Sequence, residues 1–219
     1  MAEFRVDVYS NPHKELRAAL FSLAQRAASA VTKNDVTQVV EEARAVLTKL
    51  SEHARAEDTY LHPIIRPKIA QHLAALHETH EELEEYLQHV SKTMELLAQA
   101  SGDDLVARLR DFNHEYNKLV GHHLIHMAYE ESSLPLYWQH CETHELFAVM
   151  LAFKSNEEPE AFPFVMGLAR QHLSEDKLLQ SFGVIHERLG EPVFQRTWDS
   201  AKTLLPEHLL NKIQNEVRG

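Results

Sequence analysis

Two short patterns each occur twice in this chain, in the same order. The first copy is His13-Lys-Glu-Leu16 followed by His53-Ala-Arg-Ala-Glu57-Asp58, and the second is His80-Glu-Glu-Leu83 followed by His126-Met-Ala-Tyr-Glu130-Glu131. Each His-x-x-x-Glu spaces an imidazole and a carboxylate four residues apart, which on a helix means one face and adjacent turns. Two such pairs facing each other would offer bridging carboxylates and terminal nitrogens, the donor set of a buried dinuclear metal centre.

The elements that must carry these residues show in the apolar spacing. Reading back from Glu130 in steps of four and three gives His126, His123, Leu119, Tyr116, Phe112, Leu109 and Leu105; from Glu57 the same reading gives His53, Leu50, Val46, Ala43 and Val39. A third stripe runs Leu73, Leu76, His80, Leu83, Leu87, Val90, Met94, Leu97, and a fourth leads from His13 through Leu16, Leu20, Leu23 or Ala24, and Ala27. These are heptad-like seams that face a core, and each turns polar at a single level. A buried imidazole or carboxylate without a partner costs roughly 1–3 kcal/mol or more. Six of them on one layer call for a shared partner, and a cation supplies it.

Spacing supports the convergence. If the helices are antiparallel and joined by short turns, residues at equal height lie symmetrically about each turn. The midpoint of His13 and His53 falls in Thr32-Lys33-Asn34-Asp35, that of His80 and His126 in Ser101-Gly102-Asp103-Asp104, and that of Glu57 and His80 near Pro67. The first two are turn segments with Asp or Asn suited to cap the next helix, and the third holds a proline that interrupts a helix. The prediction is an all-α chain built on an up-down four-helix bundle with helices at about 11–31, 35–62, 68–100 and 103–132, ending at Ser132-Ser-Leu-Pro135. All six residues then lie at one end.

Further helical patterns follow near 143–154, 160–172, 174–189 and 191–217, with Ser174 placed to cap Glu175-Asp176. The expected division is a bundle at 1–140 and a C-terminal helical extension at 141–219. With stripes such as Phe162, Val165, Met166, Leu168 and Leu173, the extension packs on the bundle or on a second subunit, which makes it the candidate surface for a homo-oligomer.

Composition excludes several classes. The 219 residues are 44% hydrophobic with a formal net charge of −11, and the basic residues are scattered, which argues against nucleic acid as a partner. A single cysteine, Cys141, excludes an internal disulfide framework and fits a reducing cytosol. The opening Met-Ala-Glu-Phe-Arg has no apolar signal region and no run approaches a membrane span, so a cytoplasmic protein without a membrane partner is expected. Of the sixteen histidines, His62, His72, His89, His114, His140, His144, His172, His186 and His208 read as surface or helix-end residues. His123 lies on its seam one turn from a candidate ligand, while His77 and His122 flank theirs.

The ordered set of motifs resembles the hemerythrin-like family of His/His/Glu cation-binding bundles over roughly residues 8–137. The resemblance is carried by Asn11-Pro12-His13, the His53 to Asp58 segment followed by Leu61-His62-Pro63, His80, and the His126 to Glu131 segment followed by Leu134-Pro135. It implies two iron ions bridged by Glu57, Glu130 and a solvent-derived oxygen in a centre of Fe–O–Fe type, with His13, His53, His80 and His126 as terminal ligands. Respiratory members carry a fifth imidazole in a third-helix His-x-x-x-His pair and an aspartate bridge at a five-residue spacing. Here the third helix has His77-x-x-His80, making His77 the candidate fifth ligand, and the fourth has His126-x-x-x-Glu130, closer to the bacterial proteins and the iron-sensing domain of the F-box type. Donor chemistry alone leaves manganese, zinc or cobalt open beside iron. The chain contains no Glu-x-x-His, the pattern of ferritin-like di-iron sites.

The resemblance thus implies a non-haem di-iron protein that binds or senses O2, NO, iron or redox state. An enzyme that reduces peroxide or NO, or that repairs iron centres by donating iron, is the second reading; repair members usually carry an N-terminal cysteine-bearing segment. A metal-free helical interaction module with packed histidines is the third.

Overall fold

The computed structural model describes residues 4–217, except for the side chains of residues 72–79. Its elements are α1 (Ser10–Ser29), α2 (Lys33–Ala56), a π turn (Glu57–Leu61), α3 (His62–Gln99), α4 (Asp104–His140), α5 (Thr143–Glu157), a 3-10 turn (Pro159–Ala161), α6 (Phe162–His172), α7 (Glu175–Leu189), α8 (Glu191–Ala201) and α9 (Glu207–Val217). The fold is an all-α helical bundle with further helices, and no strand occurs among the described residues. No helix there is long and apolar enough to cross a membrane.

The chain folds as two compact units, each discontinuous in sequence. The first to be considered comprises Tyr9–Arg55 and Ala74–Ser133. Its core is built from the four seams: Leu16, Leu20, Leu23 and Ala27 of α1; Val39, Ala43, Val46 and Leu50 of α2; Leu87, Val90, Met94 and Leu97 of α3; Phe112, Tyr116 and Leu119 of α4, all buried. Between α1 and α4, Tyr116 donates its hydroxyl to the Leu20 carbonyl at 3.1 Å and Asn113 its amide to the Ala27 carbonyl at 3.1 Å, so residue numbers rise on one helix as they fall on the other. The same reversal relates α1 to α2 (Glu15 with Lys49, Ser22 with Glu42) and α2 to α3 (Lys33 with the Ala100 carbonyl, Arg44 with Glu95). It also relates α3 to α4, where Tyr86 stacks on His122 and His89 faces Glu115.

The turn before α2 is set by its own side chains. Asp35 accepts from the backbone N–H groups of Thr32 (2.8 Å) and Val31 (3.1 Å), while its own N–H donates to the Thr32 hydroxyl at 3.2 Å, a reciprocal cap on the orphan donors of the helix. Those backbone bonds hold the Asp35 carboxyl below the usual carboxylate range. Before α4, Gly102 takes φ of 56°, a left-handed conformation that residues with a Cβ rarely adopt.

The second unit comprises residues 4–8, 56–73 and 134–217. Here α5 packs against α6, α7 and α8, and α7 against α9, around Phe147, Phe162, Phe182, Ile185 and Phe194. Ser174 caps α7 by accepting from the Lys177 N–H at 3.3 Å, as its sequence position indicates. The N-terminal segment joins this unit: Trp138 donates its indole N–H to the Val6 carbonyl at 2.7 Å, and Phe4 stacks on His172 with ring centroids 3.8 Å apart.

Three helix boundaries differ from the sequence reading. Helical geometry persists through Pro67, and the interruption falls two residues later, at Ile69 with φ −139° and ψ 41°. Pro135 likewise sits inside α4, which runs on to His140. A proline inside a helix forfeits one backbone bond without having to end the helix. In the other direction, the pattern read as one helix at 191–217 is two, because Pro206 disfavours helical conformation at Leu205 and cannot donate within a helix interior.

Leu20 is fully buried in the bundle core and Val106 is 75% exposed. Leu20→Ala is therefore expected to lower unfolding free energy by about 2–5 kcal/mol, and Val106→Ala to change it by less than about 0.5 kcal/mol, as measured by urea denaturation.

Candidate metal centre

The polar level of the four seams is a single buried layer. His13 lies in the first turn of α1, where its N–H bonds the Tyr9 carbonyl at 3.0 Å and the Tyr9 ring stacks on the imidazole with centroids 5.1 Å apart. His53 ends the α2 seam, its ring edge-on to that of His13 at 5.1 Å. His80 projects from α3, while His126 and Glu130 share one face of α4. His13 and Glu130 are completely buried, and His80 and His126 nearly so.

Glu130 is the centre of the layer. Its Oε1 lies 3.1 Å from His126 Nε2 and 3.7 Å from His80 Nε2, while its Oε2 lies 3.3 Å from His13 Nε2. The two oxygens of one carboxylate are therefore turned toward different histidines on different helices. His80 Nε2 and His126 Nε2 approach to 3.0 Å. Burial opposes ionisation of Glu130, but hydrogen bonds from His126, His13 and His80 outweigh it and hold the carboxyl well below the usual carboxylate range.

This donor set fits a cation. The ligand atoms of His13, His53 and Glu130 lie within 4.8 Å of one another, and so do those of His80, His126 and Glu130. Metal bonds to imidazole of about 2.1 Å put neighbouring ligand atoms about 3 Å apart and opposite ones about 4 Å apart, which is the range seen here. Imidazole with carboxylate and no thiolate suits iron, manganese, zinc or cobalt. Cys141 is elsewhere, in the second unit, where burial and then Glu145 push its thiol up to about 11.

The remaining sequence candidates divide. Glu57 is buried one helical turn past His53, as the first residue of the π turn. His77 falls outside the described residues, as do His72 and the seam residues Leu73 and Leu76, since none of their side chains is described. His122 is turned away from the layer and stacks on Tyr86 at 4.0 Å. His123 is 5% exposed, with its Nε2 buried and unpartnered among the described residues.

Sequence reasoning placed His62 and His144 on the surface, yet both are buried. His62 is held by Asp58 at 2.8 Å, an i,i+4 pair across the π turn. It also gave no role to Glu131 and Arg17: Glu131 Oε1 sits 3.0 Å from His13 Nδ1 and 2.8 Å from Arg17. That contact keeps Glu131 ionised below the ordinary carboxylate range, through Arg17 first. The available signals were the doubled acid at 130–131 and an arginine four residues after His13.

A helical bundle whose core opens onto a layer of histidines around a shared carboxylate defines a cation-binding helical protein. The chain belongs to the hemerythrin HHE cation-binding family: the model of the hemerythrin HHE cation binding domain matches residues 5–122, more than half of the 219. The match ends before His126 and Glu130, whose membership of the layer comes from the geometry above. No curated protein and no solved structure matches the chain.

His123 carries a pH-dependent stability. Burial, and then the neighbouring His126 and His53, push its pKa from 6.5 down to about 3. The unfolded chain takes up a proton below about 6.5 while the folded chain does not, so this contribution is complete above the unfolded value and is lost as pH falls from there toward 3, at up to roughly 1.4 kcal/mol per pH unit. Urea midpoints of the metal-free protein are expected to drop between pH 7 and 5, and those of His123→Leu to drop less steeply. Parallel profiles for the two would contradict the assignment.

Proposed function

We propose that this chain is a non-haem di-iron protein that binds or senses a small diatomic molecule, O2 or NO, or the iron and redox state around it. In this reading Glu130 and Glu57 are the bridging carboxylates, and His13, His53, His80 and His126 are terminal ligands. His77 is the candidate for a fifth imidazole. The observation that carries the reading is the division of the Glu130 carboxylate, with Oε1 toward His126 at 3.1 Å and Oε2 toward His13 at 3.3 Å. A carboxylate with one partner histidine would not need both oxygens turned inward.

Below the layer, Leu16, Leu20, Leu50, Leu83, Phe112 and Leu119 are buried, and the Tyr116 hydroxyl is committed to the Leu20 carbonyl. An apolar lining of this kind favours a small neutral ligand over anionic substrates. It also offers no chain of acids for delivering protons, which favours binding or sensing over turnover. A cytoplasmic location, and self-association through the C-terminal helices, belong to the same reading.

Elemental analysis after anaerobic iron loading is expected to give two ions per chain. Glu130→Gln is expected to lose both, because a bridge serves two ions, whereas His13→Ala keeps about one. A plateau at zero or one ion in the unsubstituted protein defeats the dinuclear assignment. Because the metal binds only the folded state, iron should also raise the melting temperature.

The reduced, iron-loaded protein is expected to change its absorption spectrum under O2 or NO with little turnover, and Leu119→Ala to oxidise faster. Spectra that stay constant under both gases at full iron loading would leave iron sensing or storage as the function.

A further inference from the structure

The acid that the ligand set leaves unused is Glu131. Consecutive residues on a helix point about 100° apart, so Glu130 enters the buried layer while Glu131 stands at its rim, 31% exposed. Both reach the same imidazole: His13 Nε2 lies 3.3 Å from Glu130 Oε2, and His13 Nδ1 lies 3.0 Å from Glu131 Oε1. Arg17, one turn beyond His13 on α1, donates to that same Glu131 oxygen at 2.8 Å.

The consequence lies in which ring nitrogen is available. A neutral imidazole carries its proton on one nitrogen and ligates through the other. A carboxylate whose oxygen faces Nδ1 accepts a hydrogen bond there, which puts the proton on Nδ1 and leaves the lone pair on Nε2, the nitrogen directed at the layer. Arg17 fixes the Glu131 side chain in the position that does this. Partners of this kind orient metal-bound imidazoles and raise their basicity.

We infer that Glu131, anchored by Arg17, is a positioning residue that holds His13 as the Nδ1–H tautomer and so presents Nε2 to one of two metal ions. The inference rests on the dinuclear reading above. The second acid of the His-x-x-x-Glu-Glu segment is then a working part of the site, acting through His13 without touching metal.

Cobalt(II) is the probe, titrated into the full chain and followed by its visible absorption and by proton NMR. The unsubstituted protein is expected to take up two equivalents and to show a hyperfine-shifted, slowly exchanging N–H proton from His13. Glu131→Ala should weaken one equivalent by roughly 10–100-fold, leave the other unchanged, and speed exchange of that proton with solvent. Glu131→Gln should lose less, since its amide oxygen still accepts from Nδ1–H and its shape supports folding if the alanine variant does not fold. A residue of merely structural importance would lower the melting temperature without selecting one equivalent or altering the exchange. Wild-type affinity at both equivalents with unaltered exchange in Glu131→Ala, or in Glu131→Gln if only that variant folds, overturns the inference and leaves the dinuclear reading standing. Failure of the unsubstituted protein to bind two cobalt ions overturns both.

Discussion

A carboxylate with no exposed surface, enclosed by imidazoles from the other helices, is the constraint around which the bundle is arranged. Desolvation by itself would drive Glu130 to its neutral form; the three histidines directed at it reverse that outcome. Those histidines lie on α1, α3 and α4, so the relative rotation of the helices about their axes is fixed by one side chain. Leucine and valine seams fill a core in several registers, whereas a polar layer of this kind is satisfied in one. The apolar residues supply the larger share of the free energy of folding, and the polar layer selects which packing that energy stabilises.

The family assignment and the geometry bear on different parts of the molecule. The family match spans α1, α2, α3 and the first half of α4. The carboxylate at the centre of the layer falls beyond it. Glu130 is tied to the remainder by contacts with His13, more than a hundred residues earlier in the chain, and with His80. Ending α4 at residue 122 would leave a helical bundle with histidines on two seams and nothing to balance their charge when protonated.

The sequence disclosed those features that depend on periodicity. The seams through Leu20, Val46, Val90 and Tyr116 are buried where the three-and-four spacing puts them, because a helix buries whatever its apolar stripe selects. The capped turn at Thr32 to Asp35 was readable for a similar reason, its bonds being local. What escaped depends on partners distant in sequence. His62 and His144 carry no local sign of burial, and the pairing of Glu131 with His13 joins positions that only the fold brings together. Prolines misled in both directions: Pro67 and Pro135 are accommodated within helices while Pro206 separates two, since the cost of one lost backbone bond is weighed against tertiary packing that local sequence does not report.

The π turn at Glu57–Leu61 alters what chain length means at that point. Its composition, Glu-Asp-Thr-Tyr-Leu, is that of a surface connection, where an added or missing residue is ordinarily absorbed. Yet the turn is continuous with helix on both sides, and its wider hydrogen-bonded ring holds one residue more than an α turn does. Removing a single residue would restore α geometry and rotate all that follows by about 100° about the helix axis. Ile64 and Ile65, both buried, would exchange places with the exposed positions beside them. At this position the chain counts residues as angle and not as reach, so a segment with the composition of a loop has the insertion and deletion tolerance of a core helix.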